Sequence, residues 1–286
     1  MSALYLVATP IGNLEDMTFR AVRILKTVAL IAAEDTRHTG KLLQHFGIAT
    51  PQISYHDHNR QFRLPYLLDH LQQGQDLALV TDAGLPGICD PGADLVAACR
   101  QAEIPVIPLP GATAGLTALM ASGLSTERFA FEGFLPPKAK PRQERLQSLL
   151  SDPRTLIFYE APHRLLATLT ALVEVFGAER RVVTARELTK LHEEFWSGAL
   201  GEACRHYQTQ APKGEFVILV EGERETAPTF SAAHLQAELQ ALLAQGLSRS
   251  DASRQLAQIT QLPRRQLYQL ALTLTAQESS IIHSPD

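Results

Sequence analysis

Cysteine is scarce in this chain of 286 residues: Cys89, Cys99 and Cys204 stand far apart and are odd in number. That excludes a disulfide framework and a zinc site built on paired cysteines. Long apolar runs are missing too, and none approaches the length needed to span a membrane. The first ten residues, Met1 to Pro10, carry no basic n-region and no extended apolar segment, so they read as a first strand and not as a signal peptide. A reducing, cytoplasmic protein is the expectation. Positive charge is not in excess, since 26 Lys and Arg face 30 Asp and Glu for a net charge of −4. Any nucleic-acid contact must therefore come from local patches. No Gly-x-Gly-x-x-Gly follows a strand, which excludes a dinucleotide site and the usual glycine fingerprint of Rossmann methyltransferases. A P-loop and a Gly-x-Ser-x-Gly elbow are absent as well, excluding a P-loop nucleotidase and an elbow-type serine hydrolase.

What is present has the balance of a soluble globular protein, 45% hydrophobic and 20% charged, with length for two ordinary domains. The chain is organised around Asp76 to Pro110. Leu77 to Val80 is an apolar run bounded by turn formers, the length of a buried strand. Asp82 to Gly92 then packs three Gly, two Pro and two Asp into eleven residues. Glycines let a ligand touch main chain, prolines stiffen the loop, and Asp82 and Asp90 supply fixed acceptors. A loop after a parallel strand is where open α/β sheets bind ligands, so the stretch reads as a binding loop over a merely rigid turn.

Strands are expected at 4–8, 28–33 and 104–108 around this centre, with a helix capped by Thr18 and another through Leu64, Leu67, Leu68 and Leu71 to a stop at Gly74. Glu34-Asp35-Thr36-Arg37 follows the second strand at the ligand-facing edge, as a site cluster or a surface ion pair. His56-Asp57-His58-Asn59 lacks a third ligand at metal spacing, so these are loop histidines and no metal is assigned. Pro110 to Gly115 opens a helix running to about Ser122 and offers backbone N–H groups and the Thr113 hydroxyl. The Pro10, Asp82 and Thr113 loops share one rim in this reading. The α/β alternation restarts at Phe129, with strands at 155–159, 181–185, 193–196 and 216–220 and a helix from His163 to Phe176, a more hairpin-like half that predicts a mixed sheet. Pro136 to Arg145 is a proline-stiffened basic segment, read as a solvated loop or a phosphate-backbone contact. Gly222 to Thr229 is a linker. Beyond it lie helices from His234 to a stop at Gly246, from a Ser248 or Ser250 cap through Ile259, and from Pro263 through Leu274. The last two, joined near Thr260-Gln261-Leu262, resemble a helix-turn-helix carrying Arg249, Arg254, Arg264 and Arg265.

Thr9-Pro-Ile-Gly-Asn-Leu-Glu-Asp16, Ala33-Glu-Asp-Thr-Arg37, Asp82 through Gly92, Pro108-Leu-Pro-Gly111, Phe158-Tyr-Glu160, Ala185-Arg-Glu-Leu-Thr-Lys190 and Lys213-Gly-Glu215 stand in that order. Together they resemble the ribosomal RNA small subunit methyltransferase I family over nearly the whole chain. The resemblance implies an α/β protein with two α/β domains of tetrapyrrole methylase type, a class III S-adenosyl-L-methionine methyltransferase, with a small C-terminal helical domain. The implied boundaries are 1–123, 124–225 and 226–286. It also implies a homodimer that 2′-O-methylates a cytidine ribose, cytidine 1402, in the decoding region of 16S rRNA, free or in the 30S small subunit.

Carried over residue by residue, the cofactor would meet Pro10, Asp82, Ala83, Gly84, Ile88, Thr113, Ala114, Tyr159, Ala185 and Gly214. Leu85 departs from the family's usual Thr, and Ala112-Thr113 from its Pro-Ser or Pro-Cys. Asp35, Glu160 and Glu187 are the candidates for the base or ribose orienter. Arg37, Lys138, Lys140, Arg142, Arg186, Lys213, Arg264 and Arg265 are the candidate RNA contacts. A small-molecule tetrapyrrole methylase and a non-enzymatic RNA-binding protein remain the alternatives, and the basic segment and helical tail speak against the first.

Overall fold

The computed structural model describes residues 2–223, 231–260 and 262–281, the last with side chains through Leu274. Most of the expected linker, the boundary at 225/226 and the turn residue Gln261 lie outside the described residues. The chain divides into two compact units, 1–223 and 224–286.

The first unit holds two sheets. Sheet one is built from β1 (Leu4–Val7), β2 (Leu30–Ala33), β3 (Gln52–Ser54), β4 (Leu77–Val80) and β5 (Val106–Leu109), in the order β3-β2-β4-β1-β5, all parallel. Its connecting helices are α1 (Phe19–Thr27), α2 (Thr36–His45), α3 (Arg60–Gln72) and α4 (Ala93–Gln101). The strands are short apolar runs because both faces are covered: Val7, Ile31 and Val80 pack on one side, Leu4, Leu77 and Leu79 on the other. Burial of each such side chain contributes about 1.5–3 kcal/mol. Thr18 caps α1, accepting from the Ala21 N–H. The chain leaves β1 toward β2 and leaves β4 toward β5, so the order reverses between the neighbours β1 and β4, and a crevice opens at their carboxyl ends.

Sheet two contains β6 (Phe129–Phe134), β7 (Thr155–Glu160), β8 (Arg181–Arg186), β9 (Glu194–Ala199) and β10 (Phe216–Val220), in the order β6-β7-β10-β8-β9. Only β6 and β7 run parallel, so the expected mixed sheet is observed. Helices α6 (Ala139–Gln147), α7 (Pro162–Phe176) and α8 (Leu200–Thr209) flank it, and α7 and α8 supply Leu165, Leu169, Leu172, Leu200 and Ala203 to the core on one face. The other face is covered by α5 (Ala114–Ser122), whose Ala118 and Leu119 pack with Ile157, Val183 and Val217. A boundary drawn after Gly123 therefore groups α5 with sheet one, whereas its buried face lies on sheet two.

Three readings need correction. The basic segment is not a loop from Lys138 onward. Ala139–Gln147 is helical, with Pro141 in the first turn, where a missing N–H costs nothing, and Leu146 fully buried. Arg145 is drawn to Glu132 on β6. Helix α2 was not anticipated: Asp35 caps it, and of the two readings of its cluster the surface ion pair, with Arg37, is the one observed. Strand β3 was missed because three half-buried residues make no apolar run. The His56 to Asn59 segment turns into α3, and Asn59 Oδ1 accepts from the His56 N–H at 2.9 Å.

The second unit is helical: α9 (Ala232–Ala244), α10 (Arg249–Thr260) and α11 (Arg264–Ile281). Leu235, Leu239 and Leu242 meet Ala252, Leu256, Leu267 and Leu274 in its own core. Ser248 caps α10, accepting from the Asp251 N–H at 3.1 Å, and Gly246 ends α9 with φ +88°.

Candidate active site

Loops from both sheets converge over the crevice. Thr9 after β1 and Gly84 after β4 exchange two main-chain hydrogen bonds of 2.9 and 3.0 Å, which lock the two loops together. Gly84 lies at φ +82°, a conformation that favours glycine, and so turns main chain toward the crevice. Gly87, Cys89 and Gly92 are left-handed too, so this loop is held in a shape that few sequences permit. The Gly115 N–H at the start of α5 donates to the Tyr159 hydroxyl at 3.0 Å, tying the loop after β5 to sheet two.

Beneath these loops is a cavity of about 480 Å³, within the range of small-ligand sites. Of the expected cofactor residues, Asp82, Ala83, Gly84, Ile88, Thr113, Ala114, Tyr159 and Ala185 line it. Pro10 instead lines a neighbouring cavity of about 550 Å³ that shares Ile11, Thr81, Asp82, Ala83 and Glu215 with the first. Gly214 lines neither. It packs beneath Glu187, whose Cγ would lie 2.4 Å from a Cβ added there.

The first cavity has an acidic wall. Glu34 accepts from the Thr81 hydroxyl at 2.6 Å and from the Asp82 N–H at 3.3 Å. Asp90 stands beside them, and among the described residues no Lys, Arg or His lines the cavity. Burial pushes Asp90 up to about 6, and the charges of Glu34 and Asp82 add to the rise. Burial, then the Glu34 charge, also raises Asp82 above the ordinary carboxylate range. Asp90 is the second fixed acceptor expected of the binding loop, and Glu34 belongs to the cluster expected at the ligand-facing edge, although neither was assigned a cofactor or catalytic role. The only local signal was their position one residue past a strand and inside a glycine-rich turn.

The three carboxylates singled out as bases are already engaged. Asp35 caps α2 and takes a bidentate contact from the exposed Arg37, whose hydrogen bonds hold it far below the ordinary range. Glu160 lines the cavity wall, yet it is buried and accepts from Thr168 Oγ1 at 2.5 Å and the Ala161 N–H at 2.9 Å, with Arg164 at 3.2 Å. Glu187 lies in a strained turn at φ +49°, with Thr189 at +66°. Its Oε1 accepts from Lys190 Nζ at 2.9 Å and from the Glu215 N–H at 3.0 Å. Lys190 is the residue that sequence reasoning quoted and passed over. Its ammonium also reaches Glu215 at 2.8 Å, and both side chains line the second cavity.

The expected RNA contacts divide by location. Arg37, Lys138, Lys140 and Lys213 are exposed, and Arg142 is half-buried on α6. Arg186 is held by the Lys213 carbonyl at 2.9 Å and Glu194 at 2.8 Å. Arg264 and Arg265 are exposed on the helical unit, Arg264 bonding Ser250. Among the described residues no group of three or more His, Cys, Asp or Glu is placed to hold a metal ion, and no helix is long and apolar enough to cross a membrane.

Comparison with known proteins agrees with this architecture. Residues 3–204 match the Tetrapyrrole (Corrin/Porphyrin) Methylases, and residues 231–275 match the RsmI C-terminal HTH domain. The chain is 63% identical over 277 residues to Ribosomal RNA small subunit methyltransferase I of Synechocystis sp., covering 96% of this chain and 99% of that protein. It is 48% identical to the protein of the same name from Pasteurella multocida, across 94% and 96% of the two chains. A structure of uroporphyrin-III C-methyl transferase from Thermus thermophilus, complexed with S-adenyl homocysteine, superposes with a TM-score of 0.54 at 19% identity, over 78% of this chain and 98% of that one. The chain belongs to the ribosomal RNA small subunit methyltransferase I family, on the tetrapyrrole methylase fold with that family's C-terminal helical domain.

Proposed function

We propose that this chain transfers the methyl group of S-adenosyl-L-methionine to the 2′-hydroxyl of a cytidine ribose, cytidine 1402, in the decoding region of 16S rRNA. The observation that carries the reading is the pair of cavities sharing one wall, the first acidic and, among the described residues, without cationic lining. That donor set fits the cofactor: main chain at Ala83 and Gly84, apolar side chains at Ile11, Ile88 and Leu188, and carboxylates for a cationic ligand. When bound, the cofactor supplies an electrophilic methyl on a sulfonium. The protein's own residues do the rest. The interlocked Thr9 and Gly84 loops hold the donor side rigid, and orientation of this kind supplies effective molarities of about 10⁵ M or more.

The acceptor hydroxyl must lose its proton as the bond forms. Asp82 and Glu215 are the carboxylates that face both cavities. Asp82 Oδ1 accepts from the Asp35 N–H at 3.2 Å, which leaves Oδ2 for the hydroxyl proton. Glu215 is already held by Lys190 Nζ at 2.8 Å, whereas burial raises Asp82 above the ordinary carboxylate range, so Asp82 is the base in this reading. Lys190, fixed by Glu187 and Glu215, places an ammonium where negative charge develops on the oxygen. Glu187 thus acts through Lys190 in this reading. Exposed basic residues (Arg37, Lys138, Lys140, Lys213) and the helical unit's Arg264 and Arg265 engage the RNA backbone.

The protein works in the cytoplasm on 16S rRNA or the 30S small subunit, as a homodimer. Exposed Leu116 and Met120 on α5, with Phe129 and Phe131 on the edge strand β6, support self-association. Light scattering should give twice the 31.4 kDa chain mass, and a monomer would remove that part of the reading.

The function is tested with labelled methyl donor and three acceptors: unmodified small subunits, naked 16S rRNA and a porphyrin precursor. Label in RNA ribose is expected. Label in the porphyrin alone, or in nothing, overturns the proposal.

Asp90 supplies a separate check. A carboxylate raised to about 6 favours a cationic donor only once ionised, so donor affinity should rise with pH through about 6. Because the folded value lies above the unfolded one, Asp90 lends stability at low pH that is lost as pH rises through about 6. Asp90→Asn should therefore flatten the pH dependence of donor binding in calorimetry. It should also stabilise the ligand-free protein at neutral pH by about 1 kcal/mol after allowance for solvent screening. An unchanged pH dependence would exclude Asp90 from the donor site.

A further inference from the structure

The second cavity has a different electrostatic character from the first. His38, Lys41 and Lys190 line it, and its two acids, Asp82 and Glu215, both lie in the wall shared with the donor cavity. Lys41, on the exposed side of α2, has no ion pair among the described residues. Thr39, two residues earlier on the same helix, is 2% exposed and lines the cavity, yet among the described residues its Oγ1 has no hydrogen-bond partner. A buried hydroxyl left unpaired is unfavourable and points to a polar group that completes it from the cavity side. The floor is formed by the Thr9 to Gly12 turn, and Gly12 is pressed so close to Lys190 that a Cβ there would lie 2.4 Å from its Cγ.

We infer that this cavity receives one unstacked nucleotide of the acceptor RNA, its phosphate at His38 and Lys41, a polar atom on Thr39 Oγ1, and its ribose against the Asp82–Lys190 wall. The assignment rests on the methyltransferase reading above and adds where the acceptor sits. A cavity of about 550 Å³ suits a single nucleotide and cannot take a paired helix, so the target base must leave its stack to enter. The cationic donor then sits in the chamber whose charged lining is acidic, and the phosphodiester beside Lys41 in the other.

The test uses the full-length protein with unmodified small subunits and labelled donor. Lys41→Met should raise KM for the subunits about tenfold and lower the slope of log KM against log salt by about one, the signature of a lost phosphate contact. Thr39→Val, nearly isosteric and so tolerated by the core, should raise KM about fivefold or more through one lost hydrogen bond. Donor affinity, read by calorimetry, should stay within about twofold for both, which also shows that the variants are folded. Unchanged KM in both variants with normal donor binding overturns the acceptor site. Lost donor binding in either overturns it too, by assigning the cavity to the donor. If the unsubstituted protein methylates no RNA, the function reading itself fails, an outcome distinct from the other two.

Discussion

Asp82→Asn should lower kcat by about 10²–10⁴-fold, the range a positioned general base supplies, while donor affinity measured by calorimetry falls far less, because Glu34 and Asp90 still face the cation. Asparagine keeps the shape and can still accept from the Asp35 N–H, so the turn that holds Glu34 and Thr81 together survives. What it cannot do is take a proton. The pH profile should separate this role from simple donor binding. Burial and Glu34 raise Asp82 above the ordinary carboxylate range. In the unsubstituted protein kcat should therefore fall as pH drops through that raised value, because the protonated acid is not a base. In Asp82→Asn the same limb should vanish. A variant with full turnover, or one that loses donor binding and turnover in parallel, would return Asp82 to a cofactor contact.

Lys190→Met should cost about 10²-fold or more in kcat, comparable to removing one donor that faces a developing oxyanion. The lysine is a strong candidate on geometry. Burial works against its charge, but hydrogen bonds from Nζ to Glu215 and Glu187 outweigh that and hold the ammonium above its ordinary range. Glu187 is held below its own ordinary range by the same pair, with Lys190 as the main cause. Its carboxylate is thus already committed to the lysine. Glu187→Gln should accordingly lose about tenfold, and the double variant should be no worse than Lys190→Met alone, because the two act as one unit. Additive losses would show that Glu187 contributes by a separate route.

Much of the scaffold could be read from apolar runs. Leu77 to Val80, Phe216 to Val220 and the leucines of α3 announced themselves by period and bounding turns. The binding loop was legible for a related reason, since Asp82 to Gly92 needs its glycines where φ is positive. The exception is Cys89, which takes the same conformation with no sequence signal. The roles of the acids were not legible. Asp35 stood out as a polar residue at a strand end, but so does any helix cap, and local sequence alone left the site cluster and the surface ion pair with Arg37 equally open. Glu160 is satisfied by Arg164 and Thr168, one and two turns along α7, which only the helix places within reach. Lys190 could not be chosen because its importance comes from meeting Glu215, 25 residues distant, and Gly12, from the other sheet. The basic segment misled for a simpler reason. Prolines suggested a loop, yet Pro141 falls in a first turn that tolerates it.

Mass mapping of ribose methylation on 16S rRNA from cells with and without this protein tests the central claim most directly. One cytidine in the decoding region should carry an added methyl on its 2′-oxygen only when the protein is present, and its 3′-phosphodiester should then resist alkali. A map identical in both strains, or a methyl found on a base instead of a ribose, would contradict the account.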